Sequence, residues 1–302
     1  MQLKVWIHAF RLRTLPLALS SIAMGAFLAA FFDGFRWKIS LLAAVTTLFL
    51  QILSNLANDF GDAQKGTDNQ HRLGPERAVQ SGKISAVAMK KAIIIFVGLS
   101  LISGIVLIFR STRGMNLEIG MSFFAIGIGA IAAAVFYTIG KKSYGYSGLG
   151  DLFVFVFFGL VAVVGTYFLN TLQFRWDILL PAVSLGFLSA GVLNLNNLRD
   201  IANDKNSGKM TLAVRFGERG AKFYHLFLIL GAFLSAFLFN LKNIENPWSF
   251  GWIILLLPLF VVDLIHIFKT RNLRMLDPFL KKLALKTLLF VIVYGAFLIG
   301  RY

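Results

Sequence analysis

Two short stretches gather carboxylates and amides at helical spacing. In NLANDFGDAQKG, Asn55, Asn58, Asp59 and Asp62 stand at i, i+3, i+4 and i+7, which places all four on one helical face. In NLNNLRDIANDKNSGK, Asn196, Asp200 and Asp204 stand at i, i+4 and i+8 and again share a face. Each run continues into Lys and Gly: Lys65-Gly66 after the first, and Lys205 with Gly208-Lys209 after the second. Carboxylates aligned in this way repel one another unless they share cations. Oxygen donors with no Cys and no nearby His cluster suit a hard ion such as Mg2+. Mg2+ takes one or two carboxylates and fills its octahedron with water and substrate phosphate. Two facing acidic helix ends with Lys and Arg at their margins therefore form a candidate site for a magnesium-bridged diphosphate. The simpler alternative is a solvated helix end whose acids balance neighbouring bases. That alternative explains one cluster more readily than two in equivalent places, which look like the halves of a duplication four helices apart.

The elements that position these runs are membrane spans. The 302 residues are 57% hydrophobic and only 15% charged, well below the quarter charged of a soluble domain. Crossing the hydrocarbon core takes about 20 mostly apolar residues. Nine such stretches are expected, at about 15–32, 39–60, 86–109, 119–140, 149–169, 178–199, 221–241, 248–268 and 283–300. The expected fold class is all-α, a polytopic membrane helix bundle forming a single domain over 1–302, with active-site loops at about 61–85 and 200–220. With the N-terminus in the cytoplasm, 23 of the 30 Lys and Arg fall on the cytoplasmic side, a positive-inside bias that sets the orientation in the cell membrane. The net charge of +16 then reflects topology and attraction to an anionic lipid bilayer, not nucleic-acid binding. With no cysteine, disulfides, thiolate metal sites and cysteine nucleophiles are excluded.

Three rival readings fit less well. A secondary transporter places intramembrane acids near the midplane on broken helices, whereas both runs here sit at one surface. An alcohol phosphotransferase using Asp-x3-Asp carries a preceding Asp-Gly-x2-Ala-Arg, which this chain lacks. GKMT, Gly208 to Thr211, is interrupted by Met210 as a phosphate-binding loop.

The chain resembles the UbiA-type superfamily of intramembrane aromatic prenyltransferases. The motifs that carry the resemblance are Asn58–Asp62, Asp200–Asp204 and YTIGKK from Tyr137 to Lys142. Longer blocks are similar to the branch that prenylates 1,4-dihydroxy-2-naphthoate in menaquinone synthesis: RLRTLPLA, the stretch from Asn55 to Gly82, YGYSGLGDLFVFVFFG from Tyr144, and LNLNNLRDIANDKNSGKMTLAVRFG from Leu193. The resemblance implies transfer from a polyprenyl diphosphate to 1,4-dihydroxy-2-naphthoate with loss of CO2 and diphosphate. The alternatives are a sibling enzyme using 4-hydroxybenzoate or homogentisate, and a transporter. It departs from the superfamily at Gly66, where a third acid often stands, and at Ile139-Gly140-Lys141-Lys142, where the branch carries a Gly-Gly-Pro-like turn.

The roles implied are Mg2+ ligation by Asn58, Asp62, Asp68, Asp200 and Asp204, diphosphate binding by Lys65, Arg72, Arg77 and Lys209, and a substrate pocket including Arg13, Asn55, Asn196 and Asn197. Lys141 is a candidate diphosphate contact or a topology-setting charge. Tyr144 is a candidate neighbour of the acceptor ring or an interfacial tyrosine. Gly66 is the residue type that ends a helix in the left-handed conformation, so the helix is expected to stop near Lys65. Asp68 then either folds back toward the ions or balances Lys65 or Arg72. The 31 Phe, as in Phe153–Phe158, line a prenyl channel or face lipid. Asp263, costly inside a span, is expected to pair with His266 or a loop Arg.

Overall fold

The computed structural model describes residues 2–69 and 73–300, and the regular structure among those residues is all helical. Nine of its helical stretches are long and apolar enough to cross a membrane. A surface helix α1 (Gln2–Phe10) leads into α2 (Leu15–Phe31), followed by α3 (Trp37–Gln64), α4 (Ala86–Ser111) and α5 (Leu117–Phe136). The next span is composite: α6 (Gly150–Val154), a π-helical segment over Phe155–Val164, and α7 (Gly165–Thr171). Then come α8 (Leu179–Arg199), α9 (Ile201–Asn206), α10 (Leu212–Asn243), α11 (Gly251–Lys269) and α12 (Asp277–Ile299). The nine spans lie within a few residues of those expected from hydropathy, except that α12 begins six residues earlier and α10 nine earlier, α10 being broken at Gly217, whose φ is 71°.

Lipid supplies no hydrophobic drive between helices, so their association rests on close packing and internal polar contacts. One core joins α2, α7, α8 and α10–α12 around Trp252, Phe233, Phe290 and Tyr294. A second joins α1, α3, α4 and α5 around Leu53, Leu56 and Met89. A third, with Ile22, Ile39, Ala43, Leu107 and Leu169, links the two at the end away from the acidic runs. There Arg36 ties three connections together. Its Nε donates to the Asn170 carbonyl at 2.6 Å, and its guanidinium also reaches the carbonyls of Leu169 and Ser111. Asp263 pairs with Lys286 of α12 at 2.6 Å. Its expected partner His266 instead contacts the Val262 carbonyl, because Lys286 approaches from the facing helix.

The π segment meets α8 at glycines. A Cβ at Gly159 would lie 2.6 Å from the Ala182 carbonyl oxygen, and one at Gly186 would lie 2.7 Å from the Phe155 ring and 3.0 Å from its carbonyl oxygen. Gly186→Val is therefore expected to lower the thermal unfolding midpoint in detergent by several degrees, as overpacking by about 1–3 kcal/mol requires. Gly98→Ala, in open space on α4, serves as the control and should leave the midpoint near the parent's.

Candidate active site

Helix α3 ends where its sequence says it must. Gly66 has φ 70°, and the Thr67 N–H returns to the Asp62 carbonyl at 3.1 Å, the closing bond of a left-handed helix terminus. The second run ends the same way. Gly208 has φ 71°, and the Lys209 N–H reaches the Asp204 carbonyl at 2.8 Å. The spacing from aspartate to terminal glycine is the same in both runs, which extends the internal resemblance from sequence to backbone. The two termini touch directly, since the Asn203 side chain donates to the Thr67 carbonyl at 2.9 Å. Both helices present their C-terminal, partially negative ends to this point, a field that favours cations.

Between the two main cores lies a cavity of about 760 Å3. Asn55, Asn58, Asp62, Asp68, Asn196, Asp200 and Asp204 line one end, with Arg13, Arg77 and Lys209. Along α3 the lining runs from Ala43 to Asp62, roughly 28 Å at the rise of an α-helix. The cavity thus extends across most of the hydrocarbon thickness. Its wall is apolar and aromatic, with Phe123, Phe153, Phe157, Phe158 and Phe168 among the lining residues. Three members of the Phe153–Phe158 run therefore face the cavity, while Phe155 packs on Phe187.

The carboxylates are buried and matched by cations. Asp62 accepts from the Tyr146 hydroxyl at 2.8 Å. Lys209 stands 4.0 Å from both Asp62 and Asp204, between the two runs. Asp68 lines the same end of the cavity, 3.4 Å from Arg77. Asp200 is gripped by Arg199 through two N–H donors. Asn58 accepts from Thr138 at 3.3 Å, and Asn55 donates to the Phe10 carbonyl at 2.9 Å, holding the N-terminal segment over α3.

Several expectations need correction. Asp59 does not share the cavity face. It accepts the backbone N–H groups of Ala78 and Val79 at 3.1 Å each, anchoring the loop after α3. Asn197 is buried outside the cavity lining. The second run is not one unbroken helix, because α8 stops at Arg199 and α9 starts at Ile201. Lys141 is exposed and away from the cavity, since the turn at Gly140, φ 100°, carries it outward. Lys65 also lies outside the lining. It donates to the Ser143 hydroxyl and sits 4.0 Å above the Tyr146 ring, and burial is the main influence lowering its pKa. Arg72 lies outside the described residues.

Sequence reasoning missed Tyr146. Its hydroxyl joins Asp62 to Thr67, 2.6 Å away, and its ring faces Lys65 and Lys209. Burial and the neighbouring Asp62 raise its pKa well above that of a free phenol, so the group remains a proton donor. It stands two residues after Tyr144, in the same YGYSGLGD block. Tyr144 lines the cavity, stacked on Phe153 at 4.0 Å, with its hydroxyl spent on the Ala133 carbonyl.

No cluster of three or more His, Cys, Asp or Glu that would hold an ion unaided is found among the described residues. Mg2+ does not ask for one, because a single carboxylate, or a pair, with substrate phosphate and water suffices. The hard oxygen donors of Asp62, Asp200, Asp204 and Asn58, all facing one cavity, fit such an ion.

The comparisons with known proteins agree with this geometry. The chain is 42% identical to the 1,4-dihydroxy-2-naphthoate octaprenyltransferase of Haemophilus influenzae, over 97% of this chain and 95% of that one. It is 41% identical to the Escherichia coli protein of the same name, over 98% and 96%. Among solved structures, a UbiA homolog from Archaeoglobus fulgidus bound to GPP and Mg2+ superposes with a TM-score of 0.60 at 19% identity, covering 97% of this chain and 99% of that chain. The model of the UbiA prenyltransferase family matches residues 18–293. A helix bundle with two acidic runs at one end of an apolar cavity is thus placed by sequence and by fold alike, and the chain belongs to the UbiA prenyltransferase family.

Proposed function

We propose that the protein transfers a polyprenyl group from its diphosphate to 1,4-dihydroxy-2-naphthoate, releasing diphosphate and CO2 and giving demethylmenaquinol for menaquinone synthesis. The observation that carries the reading is the cavity itself, about 28 Å long along α3, acidic and cation-matched at one end and apolar toward the other. The near full-length likeness to the two named octaprenyltransferases supplies the acceptor.

The diphosphate belongs at the acidic end, with its prenyl tail along the phenylalanine wall. Asp62, Asp200, Asp204 and Asn58 would hold Mg2+ there, with Asp68 beside them. The ion supplies neutralisation of the charge that builds on the departing diphosphate. Lys209 and Arg77 face the same space and stabilise that charge directly. The allylic C–O bond breaks and its electron pair leaves with the diphosphate. The aromatic faces of Tyr144 and Phe153 favour the cation that remains, and the apolar wall keeps water from capturing it. The ring carbon that bears the carboxyl group attacks, a C–C bond forms, and loss of CO2 returns an electron pair to the ring, so no enzyme base is required. Arg13, which lines the same cavity as Asn55 and Asn196, is the group that orients the acceptor's carboxylate.

The test is product formation by purified protein with magnesium, a polyprenyl diphosphate and each acceptor in turn. Prenylated product with stoichiometric CO2 is expected from 1,4-dihydroxy-2-naphthoate. Turnover with 4-hydroxybenzoate or homogentisate alone would move the protein to a sibling reaction. Asp204→Asn keeps the shape and removes a charge, so activity should fall by at least 100-fold while membrane insertion is retained. Near-parental turnover would remove Asp204 from the cation site.

The positive-inside charge distribution supports a cytoplasmic position for the acidic runs. A Cys introduced at Ser207, in this cysteine-free chain, should react with an impermeant thiol reagent in inverted vesicles and stay unlabelled in intact cells. Labelling from outside intact cells would reverse the orientation.

A further inference from the structure

Arg199 is the largest fully buried charged side chain among the described residues, and the reaction outlined above does not use it. Its Nε and Nη2 donate to the two oxygens of Asp200 at 3.2 and 2.5 Å. Nη2 also reaches the Asn196 side-chain oxygen at 2.9 Å, and Nη1 reaches Asp277 at 2.5 Å. The other oxygen of Asp277 stands 3.8 Å from Arg13. The result is a chain of alternating charge, Asp200–Arg199–Asp277–Arg13. Its two ends line the cavity, whereas Arg199 and Asp277 do not. It joins the end of α8, the start of α12 and the turn before α2.

A planar guanidinium gripping both oxygens fixes the plane of a carboxylate, which a single contact does not. Each carboxylate oxygen keeps a second acceptor position, so Asp200 still presents lone pairs toward the cavity. Asp200 stands at the joint between α8 and α9, where its backbone is held on both sides and this grip fixes its side chain. Asp277, by taking the third side of the guanidinium, keeps it from neutralising Asp200 alone. We propose that Arg199 and Asp277 are positioning residues for the cation site, orienting the Asp200 carboxylate and sharing the arginine's charge between two acids. This proposal rests on the prenyltransferase reading and adds to it two residues that touch neither substrate.

The test uses Arg199→Lys, which keeps the charge and loses the two-point grip. Mn2+ affinity of the purified, substrate-free protein is measured by electron paramagnetic resonance, beside the apo thermal midpoint and the magnesium dependence of turnover. Loss of a partner that orients a metal ligand typically costs 10–100-fold in affinity. Mn2+ binding should therefore weaken at least about tenfold, and half-maximal rate should require correspondingly more magnesium at an unchanged KM for the acceptor. Asp277→Glu, also charge-conserving but longer, should shift Mn2+ affinity in the same direction and supplies the answer if Arg199→Lys does not fold. Mn2+ affinity within twofold of the parent in a folded variant would overturn the proposal and leave Arg199 as a brace between helices. Absence of prenyl transfer by the parent protein would instead sink the underlying reading, and the Mn2+ measurement would remain informative by itself.

Discussion

Asp62, Asp68, Asp200 and Asp204 bring four buried carboxylates to one end of a cavity whose remaining wall is apolar. Two like charges about 4 Å apart at an effective dielectric near 20 repel by roughly 4 kcal/mol, so every one of these acids has to be compensated in place. The surrounding structure is arranged to do so. Lys209 stands between the two runs, Arg77 meets Asp68, and Arg199 holds Asp200. Lys209 reaches its position because Gly208 adopts a left-handed turn at the end of α9. Arg77 reaches its own because Asp59 pins the loop at Ala78 and Val79. The same negative field, reinforced by two helix C-termini, admits a cation-bridged diphosphate and disfavours a bare anion.

The membrane makes this arrangement durable. In lipid the helices gain little from hiding apolar surface, so the site is held by contacts that lipid cannot replace. Small residues let spans approach until their backbones touch, as at Gly159 and Gly186. Polar side chains then lock one helix to the next: Tyr294 to Asn240 at 2.8 Å, Lys286 to Asp263, and Arg36 to the carbonyls at the opposite end. The π-helical stretch belongs to the same logic. It carries Phe157 and Phe158 to the cavity, beside Phe153 of α6, while Phe155 packs on α8.

The spans and the two acidic runs were legible because their signals are local. Hydropathy counts residues along one segment, and i, i+3, i+4 and i+7 describe one helix. What escaped depends on where a helix stops or which loop returns. Asp59 shares the helical spacing of Asn58 and Asp62, yet its oxygens go to backbone N–H groups about twenty residues on, in a turn that no periodicity announces. Lys141 sits in YTIGKK, one of the stretches that carry the resemblance, but is swung outward by the turn at Gly140. Tyr146 was hidden by its neighbour Tyr144, the more obvious aromatic, because only the fold reveals that one hydroxyl is used on a carbonyl and the other on Asp62. Phenylalanines along the π segment were ambiguous for the same reason, since a lipid-facing and a cavity-facing ring look alike in sequence.

The two runs match in spacing and in terminal turn but differ in what holds their acids, and that difference assigns them different work. Asp62 is held by a neutral phenol, which orients it without cancelling its charge. Asp200 is held by a guanidinium, which orients it and cancels part of its charge. Asp204 shares with Asp62 the more distant ammonium of Lys209, at 4.0 Å from each. The strongest negative field therefore lies between the ends of α3 and α9, and it weakens toward Asp200 and the arginine pair beyond it. In the proposed reading, a diphosphate bridged by cations would settle with those cations nearest Asp62 and Asp204. The weaker, arginine-flanked side at Arg13 and Asn196 would then be left for a carboxylate-bearing ring. An exact duplication would place equal fields at both runs and give an anionic acceptor no preferred side. On the proposed function, the departure from symmetry at Arg199 would turn a symmetric cation trap into a site with one end for the donor and another for the acceptor.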